Sequence, residues 1–366
     1  MKIGILSMQM VPNYGSILQA LALKTEMERR GHDVYFVDIL PGRQVVTANA
    51  AAFDPKSKFD KYMLRRIENL LLERRMRRIF EKDRKTLLAI DKILPKGERF
   101  DLVIIGSDEV FNAATPSPWG FSTQLFGDVP NANRVVTYAA SCGGTTLEKV
   151  RSLGIDKDIA AAMRGLDAVS VRDRNTYDFV TALRGEEPLL HLDPVFLGDY
   201  TPLIGAAGCK PRRKPYLLVY AYSNRIQSPD EIAAIRKYAA AHRLEILCVG
   251  TQQRWCAHNI PASTPALLRY VQEAACVLTD TFHGTVFSMK YNKRFAVLVR
   301  DSNREKLGFL LAQFGMTSRI VEQADKLADV MDAPLDFACI NTKIAEEQKR
   351  SAAYLDAICE AAVCKK

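Results

Sequence analysis

Short β-rich runs alternate with helical segments along most of this chain. That alternation restricts it to an α/β fold with mostly parallel sheets and helices on both faces. Lys2 to Met8, Asp33 to Ile39, Leu102 to Ile105, Val135 to Ala140, Ala168 to Val171 and Leu190 to Leu192 read as strands. The run Leu102 to Ile105 is wholly apolar, as a central strand covered on both faces must be. Gly15 to Arg30 reads as a helix closed by Gly31, and Pro41 to about Lys56 as an irregular connection. A stretch rich in Gly, Lys and Arg, Gly205 to Lys214 with Pro211, reads as a linker. Beyond it a second series begins, with strands Tyr216 to Tyr222, Leu244 to Gly250, Ala274 to Leu278 and Phe295 to Val299. Helices are expected near Pro229 to His242, over Pro265 to Glu273 with Thr264 as N-cap, and after Gly284. Two such units, the first ending near residue 204, are expected to set their strand ends across a central cleft.

The 366 residues suffice for two separate cores. With 48% hydrophobic and 25% charged residues, the chain has the balance of a soluble globular protein. No apolar run approaches the roughly 18 residues that span a bilayer. Met1 to Met10 reads as a first strand rather than a secretory segment, so the expected location is cytoplasmic. The eight cysteines form no CxxC, and no His/Cys spacing suggests zinc, so no metal site is expected. Cys248 and Cys276 lie inside apolar runs as small hydrophobes. Cys142, in a glycine-rich turn, is either another buried thiol or a nucleophile.

Net charge is +9, and much of the excess lies in Leu64 to Lys85. Leu64, Ile67, Leu71, Met76 and Phe80 recur at roughly helical spacing there, among Arg65, Arg66, Arg74, Arg75, Arg77, Arg78 and Arg84. This is one amphipathic helix with a basic face. The face is either simply solvated or attracted to an anionic substrate or membrane surface. Nucleic acid is not expected, because aromatics do not interleave with the basic residues as a stacking platform requires.

Polar and glycine residues gather repeatedly just after the expected strands. Asn13, Tyr14, Gly15 and Ser16 follow the first; Gly106, Ser107 and Asp108 follow Ile105; Ser141, Cys142, Gly143 and Gly144 follow Ala140. Arg172 and Asp173 follow Val171, and Asp193 and Pro194 follow Leu192. In the second series Tyr222, Gly250 and the segment Thr279 to Thr285 take the same place. In parallel sheets these ends share one edge, where ligands bind. Of the five histidines, His283 is the one at such an edge, between a strand and the positive end of a helix that suits an anion; otherwise it is a hydrogen-bonded turn histidine. The Arg172 guanidinium is expected to emerge at the rim for carboxylate or phosphate recognition, or else to pair with Asp173 or Asp167. Asp108 is either a base or a helix cap. The chain lacks a dinucleotide fingerprint, a phosphate-loop lysine motif and a nucleophile elbow.

Taken together, Asn13-Tyr14-Gly15-Ser16-Ile17-Leu18-Gln19-Ala20, Gly106 to Asn112, Tyr138 to Ser141, Val169 to Asp173, Leu192 to Val195 and Thr279 to Ser288 resemble the polysaccharide pyruvyl transferase family. The ordered set spans roughly residues 1 to 300. The resemblance implies a GT-B-like fold of two Rossmann-like domains, 1–204 and 205–335. The segment 336–366 would then carry a helix, Asn341 to Ala362, that returns to the N-terminal domain. It implies transfer of pyruvate from phosphoenolpyruvate to two hydroxyls of a sugar, giving a cyclic ketal and inorganic phosphate in surface-polysaccharide synthesis. Phosphoenolpyruvate is then a co-substrate, and no cofactor is needed. The acceptor is a sugar or lipid-linked oligosaccharide, the latter compatible with peripheral membrane association. The resemblance makes His283 the general acid and Asp108 a candidate base. It places Arg172 at the donor, with Asn13, Tyr14, Gly15, Ser107, Ser141, Thr281, Phe282, Gly284 and Thr285 lining the substrates. One departure is Thr281, where some members carry arginine; Arg294, Arg300 or Lys290 could supply the missing contact. The alternatives are a glycosyltransferase with a nucleotide-sugar donor and a non-catalytic binding protein of the same pathway.

Overall fold

The computed structural model describes residues 1–46, 61–208 and 212–363; for residues 61–69 and Ser302 it describes the backbone alone. The chain divides into two compact units, Met1–Ala50 with Arg84–Gly198 and Lys343–Lys366, and Ala51–Asp83 with Asp199–Thr342.

In the first unit the strands are β1 (Lys2–Leu6), β2 (Asp33–Phe36), β3 (Leu102–Ile105), β4 (Val135–Thr137), β5 (Ser170–Val171) and β6 (Leu189–Leu190). The main sheet is parallel in the order β2-β1-β3-β4, and single bridges Val136↔Ala168 and Ala140↔Val171 carry it on to β5 and β6. Strand order reverses direction between β1 and β3, which makes the carboxyl ends of those two strands the expected ligand crevice. The pleat explains the unbroken apolar runs. Ile3, Ile5, Leu102 and Ile104 bury into a core on one face, while Leu6, Val103 and Ile105 bury into another on the opposite face.

The long helix Phe337–Val363 closes the first of these faces. Tyr354, Leu355, Ile358, Cys359 and Ala362 form one stripe against Ile3, Ile5 and Leu23. The Tyr354 hydroxyl donates to the Thr137 carbonyl at 2.8 Å.

The second unit holds β7 (Tyr216–Tyr220), β8 (Glu245–Val249), β9 (His258–Ile260), β10 (Cys276–Thr279) and β11 (Arg294–Val297). All pair in parallel, in the order β11-β10-β7-β8-β9. The reversal falls between β7 and β10. Leu217, Val219, Cys276, Leu278 and Ala296 share a core with Ile235, Tyr238, Ala239, Leu327 and Met331 from helices beside the sheet.

The division differs from contiguous domains 1–204, 205–335 and 336–366. It falls after Gly198, it cuts the terminal helix after Thr342, and residues 51–83 belong with the second unit. Asp83, at the end of the basic helix Lys61–Asp83, is buried and accepts from the Thr264 amide at 2.6 Å, a contact with no local sequence signal. In that helix Leu71 is 58% exposed, whereas Met76 and Phe80 are buried. Thr264 is the first residue of its helix, and Ser263 is the cap. Strand β9 is too short and too polar to read from pattern. Part of the 41–56 connection, and Pro211 of the linker, lie outside the described residues. No described helix is long and apolar enough to cross a membrane.

His191 ties the terminal helix to the sheet. Its Nδ1 lies 2.8 Å from Ser170 Oγ, and its ring packs 4.7 Å from that of Tyr354. Burial, helped by the nearby Arg350 charge, lowers its pKa to about 4. The folded state therefore holds neutral imidazole, while the unfolded chain takes up the proton near pH 6.5. Stability contributed by keeping it neutral is lost as pH falls from about 6.5 to about 4, by on the order of 3 kcal/mol. Urea midpoints followed across that range should fall for the native chain and flatten for His191→Gln; parallel slopes would refute the linkage.

Candidate active site

At the carboxyl edge of the first sheet, a glycine-permitted turn and a left-handed aspartate set the geometry. Gly106 has φ +127°, and a Cβ there would lie 2.3 Å from the Tyr138 carbonyl oxygen. The chain then turns through Asp108 at φ +66°, with no helix following, so Asp108 is not a cap. Its Oδ2 accepts from Ser16 Oγ at 2.6 Å and its Oδ1 from Arg172 Nη2 at 3.3 Å. Ser16 is held in turn by Asn13, the N-cap of helix Tyr14–Arg29, whose Oδ1 accepts from the Ser16 amide at 2.7 Å. Tyr14 and Gly15 are buried in the first turn of that helix.

Beneath Asp108 lies a fully buried ion cluster. The Arg172 side chain is 1% exposed, and its Nη1 donates to Asp193 Oδ2. Ser107 Oγ accepts from the same nitrogen at 3.3 Å and donates to the Ala139 carbonyl at 2.8 Å. The Ser107 amide donates to Gln19 Oε1 at 3.0 Å. Burial opposes the arginine charge, but the carboxylates of Asp193, Asp108, Asp173 and Glu109 outweigh it and raise the Arg172 pKa.

This corrects two expectations. Arg172 does not emerge at the rim, because Asp193, Ser107 and Asp108 hold its guanidinium inside. Its ion pairs are made with Asp193 and Asp108, and the Asp173 carboxylate adds to the attraction. Asp167 pairs with Arg134 at 3.3 Å, and Asp173 caps helix Arg174–Arg184, accepting from the Thr176 amide at 2.8 Å. Ser141 is occupied inside, donating to Asp173 Oδ2 at 2.6 Å. Cys142 is fully buried, and that burial, with Asp173 close by, pushes its thiol pKa upward, so no thiolate nucleophile forms there.

The edge of the second sheet is built around β10. Thr281 caps helix Phe282–Lys290, its hydroxyl accepting from the Gly284 amide at 2.9 Å. His283 therefore lies within the first helical turn, not before the helix as the sequence suggested. A Cβ on Gly284 would come within 2.1 Å of Thr279 Oγ1, which accounts for the glycine. Thr285 Oγ1 donates to the Thr281 carbonyl at 3.1 Å, and the Phe282 ring meets the half-buried His283 ring edge-on at 5.3 Å. Asp280 is fully buried, its Oδ1 accepting from the Tyr222 amide at 2.9 Å. Burial raises its pKa against the opposing pull of that amide, Arg225 and Arg300.

Cations at this edge differ from those the sequence suggested. Arg294 begins β11, at the opposite end of the sheet, and pairs with Asp332 at 3.0 Å. Lys290 is the last residue of helix Phe282–Lys290, where burial lowers its pKa to about 8 and its ammonium packs 5.5 Å from the Tyr200 ring. Arg300 is at the right edge but holds Glu231 through two bonds of 2.7 and 2.9 Å. The cation the sequence reading missed is Arg225, which lies 3.5 Å from Asp280 Oδ2 and over the ring of the exposed Tyr222. Its signal was available, since it follows β7 as the other edge residues follow their strands.

An open groove of about 550 Å³ lies at the amino end of β4, lined by Thr123, Gly127, Asp128, Asn133 and Asp167, and contains none of these candidate residues. Among the described residues no group of three or more His, Cys, Asp or Glu could hold a metal.

Two parallel-sheet units, each with a polar edge where its strand order reverses, define an α/β protein of Rossmann-like, GT-B-like organisation. The chain belongs to the polysaccharide pyruvyl transferase family, whose profile matches residues 13–302. No curated protein matches significantly. Among solved structures, a putative UDP-N-acetylglucosamine 2-epimerase from Listeria monocytogenes aligns over 100% of this chain and 97% of its own, at 11% identity and TM-score 0.50. That is a likeness of fold. The glycosyltransferase SnogD from Streptomyces nogalater aligns over 98% of this chain and 99% of its own, at 17% identity and TM-score 0.44. The Streptomyces glycosyltransferase SsfS6, solved with thymidine diphosphate, does so over 98% and 99%, at 12% identity and TM-score 0.47.

Removing one partner of a buried ion cluster leaves the others uncompensated. Arg172→Met should therefore destabilise the fold by roughly 3–5 kcal/mol, read from denaturant midpoints. A loss below about 1 kcal/mol would show that the cluster is solvated. Thr281→Ala should cost about 1 kcal/mol through the lost cap, while Thr281→Ser retains it.

Proposed function

We propose that this chain transfers the pyruvyl unit of phosphoenolpyruvate to two hydroxyls of a sugar acceptor, releasing inorganic phosphate and leaving a cyclic ketal. Family membership is the observation that carries the reading, because the matched span, 13–302, runs from Asn13 through Arg172 to His283. The donor bears a phosphate and a carboxylate, so it calls for cations and the positive end of a helix. The edge of the second sheet offers Arg225 and the capped start of helix Phe282–Lys290.

In this reading His283 protonates the methylene carbon of the donor. The central carbon becomes electrophilic and takes the first acceptor hydroxyl, whose proton passes to Asp108. Phosphate leaves, and the second hydroxyl closes the ring. The two hydroxyl protons balance the one fixed on carbon and the one carried off as the site is reset. Arg172 acts through Asp108 rather than on substrate. With Ser16 it fixes the carboxylate's position and leaves its 15% exposed side chain facing outward. No cofactor is required, since the electrons of the new bonds come from the donor's own double bond and the acceptor oxygens. The acceptor is a surface-polysaccharide sugar, free or lipid-linked, and synthesis on the cytoplasmic side is where phosphoenolpyruvate is at hand.

General acid catalysis contributes about 10²–10⁴-fold. His283→Gln should lower phosphate release from phosphoenolpyruvate by that factor at an unchanged melting temperature. A rate within twofold of the native chain would remove His283 from the role. A thermal shift with nucleoside diphosphates and none with phosphoenolpyruvate would instead favour a nucleotide-sugar donor.

A further inference from the structure

The basic helix Lys61–Asp83 has two faces with different chemistry. Met76, Phe80 and Asp83, spaced three and four residues apart, are buried, and Asp83 anchors the helix end on Thr264. The opposite face carries Leu70, Arg74 and Arg78 in one stripe and Leu71 and Arg75 in the next, by the same four-residue spacing. Leu70 and Leu71 are 50% and 58% exposed, among the few large hydrophobic side chains that are. Arg74, Arg75, Arg77 and Arg78 are exposed, and among the described residues no carboxylate pairs with them. The face is thus strongly cationic and apolar at once. The fold does not use either property, because the helix packs through its other side.

We propose that this outward face docks the protein on an anionic lipid surface, with Leu70 and Leu71 entering the acyl boundary and the four arginines meeting headgroup phosphates. Exposed aliphatic side chains interleaved with unneutralised guanidinium groups are the chemistry of an interfacial helix. A second copy of the same face would be repelled. A nucleic acid would leave the leucines without a partner, and no exposed aromatic among the described residues of this face offers a base to stack on. The inference is independent of the reaction assigned above.

The full chain is tested by co-sedimentation with vesicles of phosphatidylcholine alone and of phosphatidylcholine with about one-third phosphatidylglycerol, a content chosen to give a clear negative surface potential. The expected result is pelleting with the anionic vesicles only, released as salt rises from about 0.1 to 1 M and the screening length shrinks from about 10 to 3 Å. Arg74→Glu with Arg78→Glu, and separately Leu70→Gln with Leu71→Gln, should each reduce the bound fraction at least fivefold while melting temperature and phosphate release from phosphoenolpyruvate stay unchanged. Equal binding to neutral vesicles, no binding to either, or native-like pelleting of both variants would overturn the proposal. So would a surface that binds a soluble polyanion such as RNA but not the anionic vesicles.

Discussion

A charged guanidinium buried beneath the edge of the first sheet is the constraint on which that edge depends. Arg172 is 1% exposed, so its charge must be neutralised from within, and Asp193 and Asp108 do so from loops after different strands. The loop after β3 must bring Ser107 and Asp108 to the arginine, the loop after β6 must bring Asp193, and helix Tyr14–Arg29 must present Ser16. Polar residues far apart in sequence thus form a single hydrogen-bonded unit around one guanidinium. Only the outer carboxylate, Asp108, keeps some exposure.

The second edge combines a helix cap and close packing with a buried carboxylate, Asp280, that draws Arg225 to it. Thr281 is committed to the helix cap. It supplies geometry but no charge. Arg225, from the loop after β7, brings a cation to the same edge, where strand order reverses between β7 and β10. Parallel strands deliver all their carboxyl ends to one side, so the loop after β7 and the turn after β10 supply the same edge.

Much of the fold was legible because burial on both sheet faces leaves a plain trace. Leu102 to Ile105 was read to the residue, since two cores claim its alternate side chains. The expected strand Val135 to Ala140 is regular only over Val135–Thr137; Ala139, at φ +49°, interrupts it, and a single bridge at Ala140 resumes the pairing. What pattern could not give is what depends on distant partners. The Asp83–Thr264 bond crosses 181 residues and assigns the basic helix to the second unit. The inward turn of Arg172 depends on Asp193, 21 residues on. His283 follows β10 but lies inside the first helical turn, because the cap is Thr281 rather than a residue beside Gly284. Sequence proximity points from Arg172 to Asp173 and Asp167, but Asp173 caps its own helix and Asp167 pairs with Arg134, on the segment just before β4.

The proposed reaction is one chemical event, in which carbon–oxygen bonds to a sugar form as phosphate leaves a three-carbon donor. The most direct test follows both atoms at once. Phosphoenolpyruvate labelled with ¹³C at its central carbon is incubated with the protein and a panel of alkyl glycosides bearing suitably spaced hydroxyl pairs, and ³¹P and ¹³C spectra are recorded together. The account predicts inorganic phosphate and a ketal carbon signal rising in equal amounts with at least one acceptor, both absent for His283→Gln. Phosphate appearing with free pyruvate alone, or glycosidic products formed only from nucleotide sugars, would contradict it.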